Sequence, residues 1–208
     1  MLIRPSRLLV ALTLLLSPAI LRAATPAPET APAERGALTG QLLIAAPEIG
    51  DPRFDHTVIL VVRHDKSGAL GIVLNRPVEE RSLASLLDAA GADSKGIDGK
   101  VLIYAGGPVE PEVGFVIHSA EYRRPETIAV DSRIAVTSSI DVLRDMGHGK
   151  GPRKALVAFG YAGWSAGQLE NEIARHDWYT APADPALVFD EERDKLWESA
   201  MARRTLDL

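Results

Sequence analysis

The chain contains no cysteine among its 208 residues. That absence excludes disulfide frameworks, thiol nucleophiles and thiolate-held metal clusters together. Aromatic side chains are scarce, at 5%. There is no basic excess either: 23 Lys and Arg stand against 28 Asp and Glu, a formal charge of −5. A nucleic-acid binder would show a basic patch, so this balance argues against one. Neither a Walker A sequence nor a strand-linked G-x-G-x-x-G occurs, and nucleotide binding gains no support. His56, His64, His118, His148 and His176 form no H-x-x-x-H or H-E-x-x-H pattern, so no metal and no cofactor are expected. What remains, 46% apolar and 25% charged, is the composition of one globular domain.

The N-terminus reads as an export signal. Arg4 and Arg7 form a positive n-region, Leu8 to Leu16 an apolar h-region, and Ala23 a small residue for cleavage. The run from Leu8 to Leu21 is shorter than the roughly 18 residues a membrane span requires. An uncleaved anchor is the alternative, because Leu21 is a poor −3 residue. Residues 1–23 are thus assigned as a signal peptide, and cleavage leaves no transmembrane segment. Removing Arg4, Arg7 and Arg22 with no acid leaves 20 basic against 28 acidic residues, a formal charge of −8. Residues 24–36, rich in Ala and Pro, read as a disordered linker. A single domain follows over 37–208, and it is expected to be periplasmic or secreted. A miscalled start would leave it in the cytosol. Met1, Met146 and Met201 are the only methionines, so that start would need an alternative codon, for example at Leu38.

Within the domain, Gln41–Ala46, Thr57–Arg63 and Ala69–Leu74 have strand length, and the TVILVV core of the second predicts burial on both faces. Ser67-Gly68 predicts a hairpin between the second and third. Ser82 caps a helix over Leu83–Ala90. Further strands are expected at Val101–Ala105, Val113–His118, Thr127–Val130, Ile134–Thr137 and Ala155–Gly160. Ser138 and Asp141 suggest a capping box for a helix over Ile140–Met146, ended by Gly147 and Gly149. Ser165 and Gln168 suggest another for a helix through Arg175, with Trp164 and Leu169 at the spacing of a hydrophobic staple. A last helix is expected from Asp190 to near Arg203 and Arg204. The helices are too few for regular βαβ winding. The expected fold is therefore α+β: a mixed, largely antiparallel sheet, curled toward a barrel, with several short helices packed on it.

Six phrases occur in order: LTGQLLIAAP (38–47), DPRFDHTVILVVRHD (51–65), GALGIVLNRP (68–77), YAGGPVEPEVGFVIH (104–118), TSSIDVL (137–143) and ALVAFGYAGWSAGQLENEI (155–173). Together they resemble the YqgE/AlgH family of bacterial proteins, over about Leu38 to Phe189. The resemblance implies a single domain of mixed α/β structure to which no biochemical activity is assigned. Some members carry a transcriptional-regulator label and most look cytosolic. The export-like N-terminus departs from that pattern.

The sharpest local motif is Gly163-Trp164-Ser165-Ala166-Gly167, which fits the G-x-S-x-G of a nucleophile elbow. Only His176 follows Ser165, eleven residues on, and an ideal helix of that length spans roughly 16 Å. His64 or His118 would have to act in another arrangement. The competing role for Ser165 is a helix N-cap, and it is preferred. Asn75-Arg76-Pro77 and Gly106-Gly107-Pro108 each follow a strand. Adjacent strand ends there would make a rim of glycine N–H groups and a guanidinium suited to a carboxylate or phosphate. His118, at the end of an apolar strand, joins Asn75, Arg76, Gly106 and Gly107 as candidate ligand residues, although such a histidine also serves structurally. Arg123-Arg124 and Lys150, Arg153 and Lys154 are short loop clusters that read as solvated surface. The sequence thus favours a non-catalytic envelope domain that binds a small anion or a protein. A cytosolic regulator and a serine hydrolase using Ser165 are the alternatives.

Overall fold

The apolar run at Val58–Val62 is almost wholly inaccessible to solvent, and its alternate residues enter two different cores. Val58, Leu60 and Val62 face one side of the sheet; Ile59 and Val61 face the other. A strand buried on both faces has no polar positions to spare, which is why the run is unbroken. The computed structural model that shows this describes residues 38–189 and 192–205. The signal peptide expected over 1–23, the linker over 24–36 and the Asp190–Glu191 helix start lie outside those residues.

Ten strands form a curled, half-barrel sheet that is almost entirely antiparallel. They are β1 (Gln41–Ala45), β2 (Val58–Asp65), β3 (Gly68–Val73), β4 (Pro77–Ser82), β5 (Lys100–Ala105), β6 (Val109–Ser119), β7 (Ile128–Ala129), β8 (Ile134–Thr137), β9 (Ala155–Ser165) and β10 (Trp178–Pro182). The path runs β10-β1-β2-β3-β9-β6-β8-β7, with β5 also beside β9 and β4 beside β5. Among the described strands, β5 and β9 make the one parallel pair. The helices are short: α1 (Leu83–Ala89), α2 (Asp141–Gly147), α3 (Gln168–Ala174), α4 (Pro185–Val188) and α5 (Leu196–Met201). Among the described residues none is long and apolar enough to cross a membrane. The α+β expectation therefore holds, curled sheet included.

Local signals act where they are expected. Asp65 and Gly68 close the β2–β3 hairpin, and the Ser82 hydroxyl caps α1 by accepting the N–H of Ser85. Two other features differ from the expectation. The box expected from Ser138 does not form, because Ile140 stands at the N-cap of α2 without a side-chain bond. Instead the Ser139 hydroxyl takes the Asp141 N–H. The last helix is shorter than expected: a 3-10 turn at Arg193–Lys195 leads into α5, which ends at Met201, and a separate short helix, α4, precedes the expected start.

Strand β9 runs on through Gly160 to Ser165, where the glycine suggested its end. Gly160 has φ of 75°, and it reverses which face the even-numbered residues occupy. Leu156 and Ala158 enter the first core, whereas Ala162 and Trp164 enter the second. A Cβ on Gly160 would lie 2.4 Å from the Gly107 carbonyl oxygen, so only glycine permits the crossing. The first core is closed by α4 and α5. The second lies under α3, and a third under α1 and α2.

Candidate functional site

Asn75 and Arg76 do lie beside the Gly106-Gly107 turn, since the Ala105 N–H donates to the Arg76 carbonyl at 2.9 Å. The Gly106 N–H and the Asn75 and Arg76 side chains, expected to face a ligand, are engaged within the fold. The Gly106 N–H donates to the Phe159 carbonyl at 2.6 Å. A Cβ on Gly106 would meet the Gly160 oxygen at 2.3 Å, and one on Gly107 the Tyr161 backbone at 2.1 Å. These glycines serve close backbone packing where β3 and β5 both reach β9. Arg76 Nη2 donates to the Asp55 carbonyl at 2.6 Å and to Thr57 Oγ1 at 3.1 Å. The Asn75 amide donates to the His56 carbonyl at 2.8 Å and accepts from the Val58 N–H at 3.0 Å.

The held segment is strained: His56 has φ of 50°, a conformation that costs about 1–2 kcal/mol for a residue with a Cβ. The turn brings Asp55 and His56 together, where a strand would have sent them to opposite faces. Nδ1–H of His56 donates to Asp55 at 2.7 Å. The imidazole lies against Trp197 with ring centroids 4.4 Å apart, and Trp197 Nε1–H is anchored on the Ala45 carbonyl. A recess of about 400 Å³ opens beside these groups.

His118 is fully buried, away from that recess. Its Nδ1 lies 3.0 Å from the Ser119 carbonyl, which only accepts, so this nitrogen carries a proton. In the neutral ring Nε2 then accepts from Thr137 Oγ1 at 2.9 Å, and Thr137 in turn meets Thr127 Oγ1 at 2.7 Å. Burial pushes the imidazole pKa down, in keeping with a neutral ring. His64 is tied up comparably: Nδ1 accepts from the Leu38 N–H, and Nε2–H donates to Glu170 at 2.8 Å.

Ser165 is not the cap of α3. It is the last residue of β9 and pairs with Gly68, and the helix begins three residues later behind Gly167, whose φ is 74°. Half of the expected box survives: Gln168 Oε1 accepts the Ser165 N–H at 3.0 Å. The serine is exposed, and among the described residues no hydrogen bond joins its hydroxyl to a histidine. Trp164 and Leu169 share the second core, although the shifted cap removes the staple register.

The constellation that the sequence concealed centres on Glu172. Its Oε2 accepts the indole N–H groups of Trp164 at 2.8 Å and Trp178 at 2.9 Å. Its Oε1 accepts the Gln168 amide at 3.0 Å. The two indoles meet edge to face at 6.1 Å, and Phe54 meets Trp178 at 5.5 Å. A cleft of about 520 Å³ opens over this floor, with Arg53, Asp51, Arg175 and Asp177 among its lining. Gln168 and Glu172, four apart on one helix, were the only part of it visible in the sequence. Trp178 arrives on β10, a strand the pattern did not reveal.

Comparison with known proteins gives a consistent result. Residues 42–208 match the AlgH-like family. A UPF0301 protein of Sphingopyxis alaskensis is 46% identical over 170 residues, covering 81% of this chain and 90% of that one. A UPF0301 protein of Jannaschia is 44% identical over 166 residues, covering 79% and 86%. The solution structure of AlgH from Pseudomonas aeruginosa is similar at 40% identity with a TM-score of 0.67, covering 80% of this chain and 88% of that one. A crystal structure from Corynebacterium diphtheriae, 21% identical with a TM-score of 0.64, covers 83% and 91% and shares the fold. On these similarities the chain belongs to the YqgE/AlgH family, described as AlgH-like.

Proposed function

We propose that the protein is a non-catalytic binding domain of the cell envelope, and that its ligand occupies the cleft over Trp164, Trp178 and Glu172. One observation carries the reading: side chains from β9, β10 and α3 converge on a single carboxylate and fix its position. A floor fixed in advance lowers the entropy cost of binding. The cleft volume lies within the usual range for small-molecule sites, and its aromatic lining supplies apolar area.

The small-anion reading at Asn75, Arg76, Gly106, Gly107 and His118 draws less support, because the bonds of Asn75, Arg76, Gly106 and His118 are directed into the protein and Gly107 packs against the Tyr161 backbone. A hydrolase reading needs a base on Ser165, and the hydrogen bonds of the described histidines lead elsewhere. Export rests on Arg4, Arg7, the Leu8–Leu16 run and Ala23.

The test is a fragment screen on the ¹⁵N-labelled protein. The expected hits shift the indole N–H resonances of Trp164 and Trp178 together. Hits confined to other surfaces would sink the cleft assignment. Intact mass from separated cell fractions tests the location: a periplasmic species beginning near Ala24 is expected, and a cytosolic one beginning near Leu38 would refute it.

A further inference from the structure

The rim of the same cleft is electrically self-contained, while its floor is not. Arg53 grips Asp51 through Nε, at 3.0 and 3.1 Å from the two carboxylate oxygens, and through Nη2 at 2.6 Å. Arg175 Nη2 meets Asp177 at 2.7 Å. Each pair cancels locally. Glu172 is held by three donors, two indoles and an amide, and all three are neutral. Among the described residues no Lys, Arg or His lies within ion-pair distance of it. Three carboxylates therefore face two guanidiniums along the lining, which leaves one excess negative charge at the bottom.

Neutral donors orient a carboxylate but do not cancel its charge. A carboxylate accepts about four hydrogen bonds, and the protein's own side chains supply three at Glu172. The walls beside it, Trp164, Trp178, Phe54 and Ile49, are apolar. That combination suits a cation on an alkyl stem: the head meets the carboxylate, and the stem lies along the aromatics, whose ring faces also attract positive charge. An anion would meet Coulomb repulsion in a partly desolvated site.

We infer that the cleft over Trp164 and Trp178 selects a protonated amine or guanidinium group through Glu172. The inference rests on the cleft reading above. Either a free alkylamine or the side chain of a lysine or arginine in a polypeptide carries this chemistry.

The test uses the full chain and four probes: butylammonium, a blocked Gly-Lys-Gly peptide, butanol and butanoate. The readout is the indole N–H shift of Trp164 and Trp178. At least one cationic probe is expected to bind about tenfold or more tightly than butanol, with butanoate weakest. Tighter binding of the peptide assigns the source to a polypeptide, and tighter binding of butylammonium to a free amine. Glu172→Gln keeps an oxygen for the indoles and removes the charge, so it should cut cation affinity about tenfold while butanol is unaffected. The probe series on the unaltered protein decides the matter even if that variant folds poorly. Butanol or butanoate binding as well as the cations, or cations failing to shift the indoles, overturns the inference. Fragments that still shift both indoles would then leave the cleft reading standing; fragments that do not would remove both.

Discussion

Asn75 donates to the carbonyl oxygen of His56 at 2.8 Å across nineteen residues of chain, and the same amide accepts the Val58 N–H. One side chain thereby spans the turn in which His56 takes a left-handed backbone. A residue that looks like a ligand-binding group at a strand end is a brace for the neighbouring turn.

Replacing that brace should cost stability. Asn75→Ala leaves a backbone donor and a backbone acceptor without their partner, a loss of about 1–3 kcal/mol. Asn75→Asp retains an acceptor for Val58 but no donor for His56, and it should fall between the two. Urea unfolding monitored by tryptophan fluorescence measures the order; an unchanged midpoint for Asn75→Ala would contradict it.

Gly106→Ala and Gly160→Ala should each be severely destabilising, by about 3 kcal/mol or more, with Tm falling roughly 10 °C. Their Cβ atoms would sit 2.3 and 2.4 Å from backbone oxygens, and backbone cannot yield as a side chain does. Gly91→Ala is the control. It has φ of 71° but nothing within 4 Å of the added carbon, so it should cost only about 1–2 kcal/mol of backbone strain. Differential scanning calorimetry on the three variants checks the ranking.

Ser165→Ala should change unfolding free energy by less than about 0.5 kcal/mol, because the hydroxyl does not cap α3. Gln168→Ala should cost about 1 kcal/mol, since it removes both the acceptor for the Ser165 N–H and the amide on Glu172. A larger loss from the serine than from the glutamine would restore the capping role.

Two groups of opposite chemistry contribute to the pH dependence with the same sign, alongside the lowered carboxyls of Asp51, Asp65, Asp145 and Glu170. Burial holds the His118 pKa below its ordinary 6.5. Above that value neither state carries the proton; below it the unfolded chain binds a proton that the folded chain refuses, so stability falls with pH until the folded pKa is reached. At Glu121 burial pushes the pKa up, but the Arg153 N–H and the Ser119 hydroxyl outweigh it and bring the carboxyl down to about 2. Its contribution is complete above the ordinary 4.5 and is lost as pH falls toward 2. Urea midpoints from pH 8 to 3 should therefore decline in two stages. His118→Gln should flatten the upper stage, and Glu121→Gln the lower.

Much of the fold was legible because its signals are short-ranged. The β-branched run of β2, the Ser67-Gly68 hairpin and the Ser82 cap each depend on residues a few places apart. Strand β4 escaped because Pro77–Ser82 is a polar, exposed edge with no apolar alternation. Strand β10 escaped because its meaning lies in pairing with β1, more than a hundred residues earlier. Strand β9 is longer than its pattern suggests because a glycine that bends a strand looks the same in sequence as one that ends it.

Pattern and composition alone determine the α+β class and the strands with a continuous apolar core, since hydrophobic periodicity and turn chemistry are properties of neighbouring residues, while six phrases in order carry the family resemblance. The tertiary fold settles what the polar side chains do. Glu172 becomes a carboxylate under two indoles only when β10 lies along β1 and β9 along β3. Arg76 becomes a brace only when β3 returns beside the turn before β2. A hydrogen bond is decided by which donor and acceptor come within about 3 Å, and folding sets that distance between groups that the chain places far apart.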